Sequence, residues 1–165
     1  MASDDLALLR ALVHNGIDFV VIGGVAGQLQ GSPIVTFDLD VCYARDRRNL
    51  GRLARLLTSI GAHLRGAPAD LPFRLDAQTL WNGDSFTFDT MHGPLDILGI
   101  PSGTNGYDDL VAEAALMDVD GLTVRVASLD DLIRMKRAAG RPKDLLAIEE
   151  LGALRDELDK TGGRS

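Results

Sequence analysis

The sequence predicts an α/β (α+β) protein: a small mixed β-sheet flanked by helices, with a helical segment towards the C-terminus. Three observations predict it. Residues 17–22, 37–43, 86–91 and 94–100 are β-branched or alternating runs of strand length. Between and after them stand runs with the apolar spacing of helices, the longest near the C-terminus. The chain of 165 residues is 45% hydrophobic and 25% charged, enough for one globular domain with a real core. Within that domain, about 1–100 reads as an α/β core and about 105–160 as mainly helical.

In order, residues 6–13 read as a helix with Leu6, Leu9, Leu12 and Val13 inward and Ser3 or Asp4 as cap. His14-Asn15-Gly16 ends it, and residues 17–22 follow as a buried strand. Gly23-Gly24 turns the chain into a short helix over 25–30. Residues 37–43 alternate, with Phe37, Leu39, Val41 and Tyr43 facing the core and Asp38, Asp40 and Cys42 on the other side. Asp46 caps a helix over 47–59 that buries Leu50, Leu53, Ala54 and Leu57 and carries Arg48, Arg52 and Arg55 on another face. Residues 61–83, broken by Gly66, Pro68, Pro72 and Gly83, read as loops around a short helix near 76–80. The strand at 86–91 turns at His92-Gly93 into the strand at 94–100. Residues 107–114 are amphipathic, and 116–126 form two small strands around Gly121. Ser128 opens a helix in capping-box style, Gly140 stops it, and Pro142 opens the last helix, which runs to about Leu158. Residues 161–165 are expected to fray.

Asp38 and Asp40 project from one strand face. Two neighbouring carboxylates repel and resist desolvation, so a divalent cation between them is the economical partner. Glycines at a strand-to-helix turn let backbone N–H groups approach phosphate. Gly23-Gly24-x-x-Gly27 is neither G-x-G-x-x-G nor a G-x-x-x-x-G-K-[ST] loop. A phosphate cradle followed at once by a two-aspartate strand therefore points to a metal–triphosphate site rather than a dinucleotide site. Asp96, enclosed by Leu95, Ile97 and Leu98, also needs a partner or a metal.

Other features bound the reading. A net charge of −7 argues against a general nucleic-acid binder, but Arg45–Arg55 and Arg134–Lys143 are locally basic. The acidic opening Met-Ala-Ser-Asp-Asp predicts no signal peptide, no apolar run is long enough for a bilayer, and the single cysteine, Cys42, fits a reducing cytoplasm. The one tryptophan, Trp81, either packs or stacks on a base. His14, His63 and His92 are isolated and receive no role.

Gly-Gly followed about a dozen residues later by Asp-Leu-Asp resembles the signature of the nucleotidyltransferase superfamily, with its polymerase-beta-like fold. Lys136 and Arg141-Pro142-Lys143-Asp144 further resemble small bacterial abortive-infection-type nucleotidyltransferases of toxin–antitoxin systems. The resemblance implies a nucleotidyltransferase fold that moves a nucleoside monophosphate from a nucleoside triphosphate to a hydroxyl. It implies Mg²⁺ or Mn²⁺ held by Asp38, Asp40 and a third carboxylate on an adjoining strand, which Asp96 fits, with Asp89 as the competing choice. Gly23, Gly24, Thr36, Lys136, Arg141 and Lys143 are then expected at the nucleotide, with Asp144 orienting a lysine or touching the nucleotide. RNA such as transfer RNA, a protein, or a small molecule of antibiotic type are the acceptors the resemblance allows. A cognate toxin or antitoxin is an expected partner, and an antitoxin-like role through binding alone is the alternative.

Overall fold

A computed structural model of the chain describes residues 3–68 and 70–162. Helix α1 (Ser3–His14) leads into β1 (Phe19–Ile22), α2 (Gly23–Leu29), β2 (Leu39–Tyr43) and α3 (Arg47–Ser59). Then come β3 (His63–Leu64), α4 (Ala77–Asn82), β4 (Ser85–Thr90), β5 (Gly93–Leu98) and α5 (Tyr107–Glu113). A hairpin of β6 (Ala115–Val119) and β7 (Leu122–Val126) precedes α6 (Leu129–Ala139) and α7 (Pro142–Gly162).

The strands form one mixed seven-stranded sheet in the order β3-β4-β5-β2-β1-β7-β6. β2 runs parallel to β5 and β1 parallel to β7, while the other neighbours are antiparallel. β1 is buried at every residue, as expected of an interior strand packed on both faces. α1 packs against β5 and β7, and α2 against β1, β2 and α6. The sheet thus draws strands from both the 1–100 segment and the segment expected to be mainly helical.

Local chemistry explains most element boundaries. The Asp46 side chain accepts from Asn49 N to start α3, Asp76 accepts from Thr79 N to start α4, and Ser128 accepts from Asp131 N to start α6. Gly140 ends α6 in the left-handed conformation at φ 64°, which glycine adopts without strain.

The structure departs from the sequence reading in three places. β2 begins only at Leu39, so Phe37 and Asp38 lie in the bend before it, and Phe37 is 84% exposed instead of facing the core. Cys42, on the carboxylate side by parity, is fully buried as a small packed residue, which is no departure. Residues 61–83 are not all loop: β3 pairs antiparallel with β4. α7 continues to Gly162; the Ser3 side chain and residues 163–165, where a cap and fraying were expected, lie outside the described residues.

Candidate active site

Strand register builds the site. Across the sheet, Ile22 stands opposite Asp40, Asp40 opposite Asp96, and Asp96 opposite Thr87. Opposed residues share a face, so Asp40 and Asp96 project together. Asp89, two after Thr87 on β4, shares that face, and Asp38, in the bend before β2, lies near enough for its charge to reach Asp40. Arg65 completes the row: its N–H donates to Thr87 O at 2.9 Å, extending the β3–β4 pairing by one residue.

The Arg65 guanidinium gathers three of the four aspartates. Its Nε donates to Asp89 Oδ1 at 3.1 Å, and Nη2 donates to Asp96 Oδ1 at 2.9 Å and Phe88 O at 2.8 Å. Nη1 lies 3.9 Å from Asp38 Oδ2. Asp40 is left with carboxylates for neighbours. Burial first, then the charge of Asp96 and a hydrogen bond with it, and the charge of Asp38, raise its pKa to about 7; Lys136 works against the rise.

Gly23 sits directly on Asp40. Its φ is 67°, and a Cβ there would come within 2.2 Å of Asp40 Oδ2, so glycine is required on both counts. Gly24 is pressed against Thr36, whose Cβ would lie 2.6 Å from an added Cβ. Ile22, the residue before α2, offers no side-chain acceptor to the first N–H groups of the turn. Above this turn opens a cavity of about 490 Å³. Gly23, Gly24 and Asp40 line one end, and Lys136 and Arg141 enter from the α6–α7 junction. Leu98, Leu132, Met135 and Leu151 supply apolar wall.

At that junction Asp144 is 1% exposed and binds both cations. Arg141 Nε donates to it at 2.8 Å, the Arg141 backbone N–H at 3.1 Å, and Lys136 Nζ lies 3.4 Å away. The Arg141 hydrogen bonds, helped by Lys136 and opposed by burial, hold its pKa down at about 2.

No protein-family model matches the chain, and no curated protein matches it by sequence. Solved structures do match in fold. The lincosamide antibiotic adenylyltransferase LnuA, lincomycin-bound, aligns at TM-score 0.62 and 13% identity over 93% of this chain and 98% of its own. An antigenic nucleotidyltransferase-like protein from Paracoccidioides brasiliensis aligns at 0.56 and 20%, over 93% and 77%. ANT(2")-Ia in complex with adenylyl-2"-tobramycin aligns at 0.54 and 14%, over 97% and 99%. The chain has the nucleotidyltransferase fold.

On this nucleotidyltransferase fold Gly23, Gly24, Asp40, Lys136 and Arg141 line one cavity, with Asp38 and Asp96 behind Asp40 and Asp144 behind the two cations. Thr36 reaches it only through Gly24, and its Oγ1 turns to Asp38 O at 3.4 Å. Lys143 is exposed and does not line the cavity. Arg48, Arg52 and Arg55 belong elsewhere. Arg52 lies 3.8 Å from Asp18, just before β1, whereas Gly23 follows the other end of that strand. Trp81 is on α4 with the Arg45 guanidinium 4.8 Å over its ring, away from the cavity.

Two points escaped sequence reasoning. Arg65 is a central member of the acidic row, and only an isolated arginine after a two-residue strand could have signalled it. Asp89 shares the face of Asp96 but is taken up by Arg65. The oxygen donors Asp38, Asp40 and Asp96 suit a hard divalent cation in type. Among the described residues, no three His, Cys, Asp or Glu side chains stand close enough to hold a metal as they lie, and Arg65 engages both Asp38 and Asp96.

Proposed function

We propose that this protein is a nucleotidyltransferase that moves a nucleoside monophosphate from a nucleoside triphosphate to a hydroxyl acceptor. The observation that carries the reading is the single cavity in which Gly23, Gly24, Asp40, Lys136 and Arg141 meet from distant parts of the chain. A backbone turn, a carboxylate floor and two cations are the parts that phosphoryl chemistry requires.

The Gly23-Gly24 N–H groups, in a turn fixed by Thr36, take the triphosphate. Lys136 and Arg141, aimed by the buried Asp144, offset its charge and the charge that develops on the leaving pyrophosphate. Asp38, Asp40 and Asp96 would hold one or two Mg²⁺ or Mn²⁺, which when bound supply charge neutralisation at the phosphates and acidify the acceptor hydroxyl. The acceptor oxygen bonds to the α-phosphorus, the bond from that phosphorus to the bridging oxygen breaks, and pyrophosphate leaves. Asp96 takes the acceptor proton. Lys143 stays at the solvated rim.

For the acceptor we propose a small molecule. The basic stripe Arg48, Arg52 and Arg55, which would suit a polyanion, stands at the opposite end of β1 from Gly23. Two proteins of the same fold and similar extent act with lincomycin and tobramycin as small ligands. The test incubates the protein with each labelled triphosphate, Mg²⁺ or Mn²⁺, hydroxyl-bearing antibiotics and total cell RNA, and identifies the labelled species by mass spectrometry. Label on a small molecule is expected. Label on transfer RNA or protein overturns the acceptor reading, and no label under any condition overturns the enzyme reading.

A further inference from the structure

We propose that the groove between α3 and α4 is a second ligand site, separate from the transfer cavity, for an aromatic base that carries a phosphate. Such a unit occurs in a free nucleotide and in a single strand of nucleic acid. The groove encloses about 580 Å³, and it has no lining residue in common with the transfer cavity among the described residues. Tyr43 Oη donates to Leu80 O at 3.3 Å, so α4 stands on the face of β2 opposite Asp40, which lies three residues back in the strand. The sheet therefore stands between this groove and the carboxylate row.

Trp81, Arg45, Arg47 and Gln78 give the groove its chemistry. The Arg45 guanidinium backs the indole at 4.8 Å and donates to Trp81 O and Gly83 O at the end of α4, yet Trp81 remains 54% exposed. An indole clamped in this way is a preformed stacking surface, and stacking accepts any base. Arg47 is exposed, lines the groove and has no ion-pair partner among the described residues, so its charge is available to a phosphate. Gln78 Nε2 donates to Asn82 Oδ1 at 2.8 Å, which leaves its carbonyl oxygen to accept from a base edge. The acid of the lining, Asp46, is committed to capping α3 through Asn49 N at 3.0 Å, and two arginines outweigh it. Beyond Arg47 the positive charge continues along α3 through Arg48, Arg52 and Arg55, over about 10 Å of helix. A free nucleotide has no use for that stripe, whereas a strand has further phosphates to lay on it. A strand is therefore the expected occupant, and Trp81 and the stripe, both unused by the proposed transfer, acquire one role.

Trp81 is the only tryptophan in the chain, so its fluorescence reports on the groove directly. The full chain is titrated with single-stranded oligothymidylate, with thymidine monophosphate and with ribose phosphate, correcting for light absorbed by the base. Oligothymidylate is expected to quench Trp81 and to bind at least about tenfold more tightly than the monophosphate at low salt. Ribose phosphate, which lacks a base, should not quench. Equal affinities for strand and monophosphate keep the site and assign it to a free nucleotide. Arg47→Gln is expected to weaken strand binding by about fivefold. Trp81→Leu, followed by the anisotropy of end-labelled oligothymidylate, should weaken it by about tenfold. Lys136→Ala, which removes a cation from the transfer cavity, should bind the strand as wild type does. Absence of quenching by both base-bearing ligands overturns the inference, and so does wild-type binding in folded Arg47→Gln and Trp81→Leu proteins. Loss of binding in Lys136→Ala places the strand in the transfer cavity and also overturns it. The proposed transfer is judged separately, by labelled product.

Discussion

Two clusters of charge face each other across the cavity, and they are composed oppositely. On the sheet, Asp38, Asp89 and Asp96 share one arginine, and Asp40, outside that set, is raised to about 7. At the α6–α7 junction one buried carboxylate, Asp144, is shared by Arg141 and Lys136 and is lowered to about 2. The same residue type is pushed in opposite directions: burial and then the neighbouring Asp96 and Asp38 raise Asp40, whereas the Arg141 hydrogen bonds and Lys136 lower Asp144. On the proposed function the first would take a further cation, and the second anionic oxygens. A triphosphate with its metal would supply both, and strongly perturbed carboxylates in a cleft are candidates for a functional site.

The sharpest way to break the comparison is to erase the surplus acid. Asp38→Asn with Asp40→Asn is expected to reduce transfer of labelled nucleotide by at least about a thousandfold. The metal-free protein should remain folded by circular dichroism and melt no lower than wild type, since repelling groups have gone. Next in size, Asp96→Asn should cut turnover by roughly a hundredfold or more with little change in triphosphate affinity, and Asp89→Asn by much less. Steady-state kinetics on both variants check this, and a reversed order would move the third acid to Asp89.

On the basic side, Lys136→Ala should lower kcat/KM by about a hundredfold while Asp144 keeps its Arg141 bonds. Asp144→Ala should lower the melting temperature, because two cations lose a buried partner. A smaller effect separates the clusters by pH. A raised carboxylate favours folding below its unfolded value of 3.8 and loses that contribution as pH rises through the folded value. Metal-free stability should therefore fall by on the order of 3 kcal/mol between pH 4 and pH 7 from Asp40. Asp144 runs the other way: its contribution is present above 3.8 and is lost as pH falls towards about 2. Chemical denaturation across pH, in wild type and in Asp40→Asn, tests both signs. Least affected of all, Arg48, Arg52 and Arg55 changed together to Gln should leave the triphosphate KM unaltered.

How much of this was legible depended on whether the signal was local. Asp40 could be read from the alternation of its strand, and Asp96 because an acid among Leu95, Ile97 and Leu98 is costly; Asp38 was read as part of the same strand but stands in the bend before it. Lys136 and Arg141 flank Gly140, a helix stop visible in the sequence. Arg65 was not legible: its strand is two residues long, and its three acidic partners come from β4, β5 and the approach to β2. Phe37 was misplaced because alternation alone does not say where a strand begins, and the ladder starts only at Leu39. The seating of β7 beside β1 was likewise invisible, since parallel pairing between distant segments leaves no trace in local periodicity.

That last pairing has a consequence for how the protein is made. β1 lies inside the sheet only because Val126 comes to rest opposite Val21 and Ala127 N–H donates to Val21 O at 3.0 Å. A chain growing from the ribosome has finished β1 long before β7 exists, and for that interval β1 presents an unpaired, wholly apolar edge. Until β7 is available, the edge of β1 that β7 covers in the folded protein has no partner strand. Any pause in synthesis before Val126 prolongs that exposure, and chaperone occupancy during elongation should end when β7 emerges.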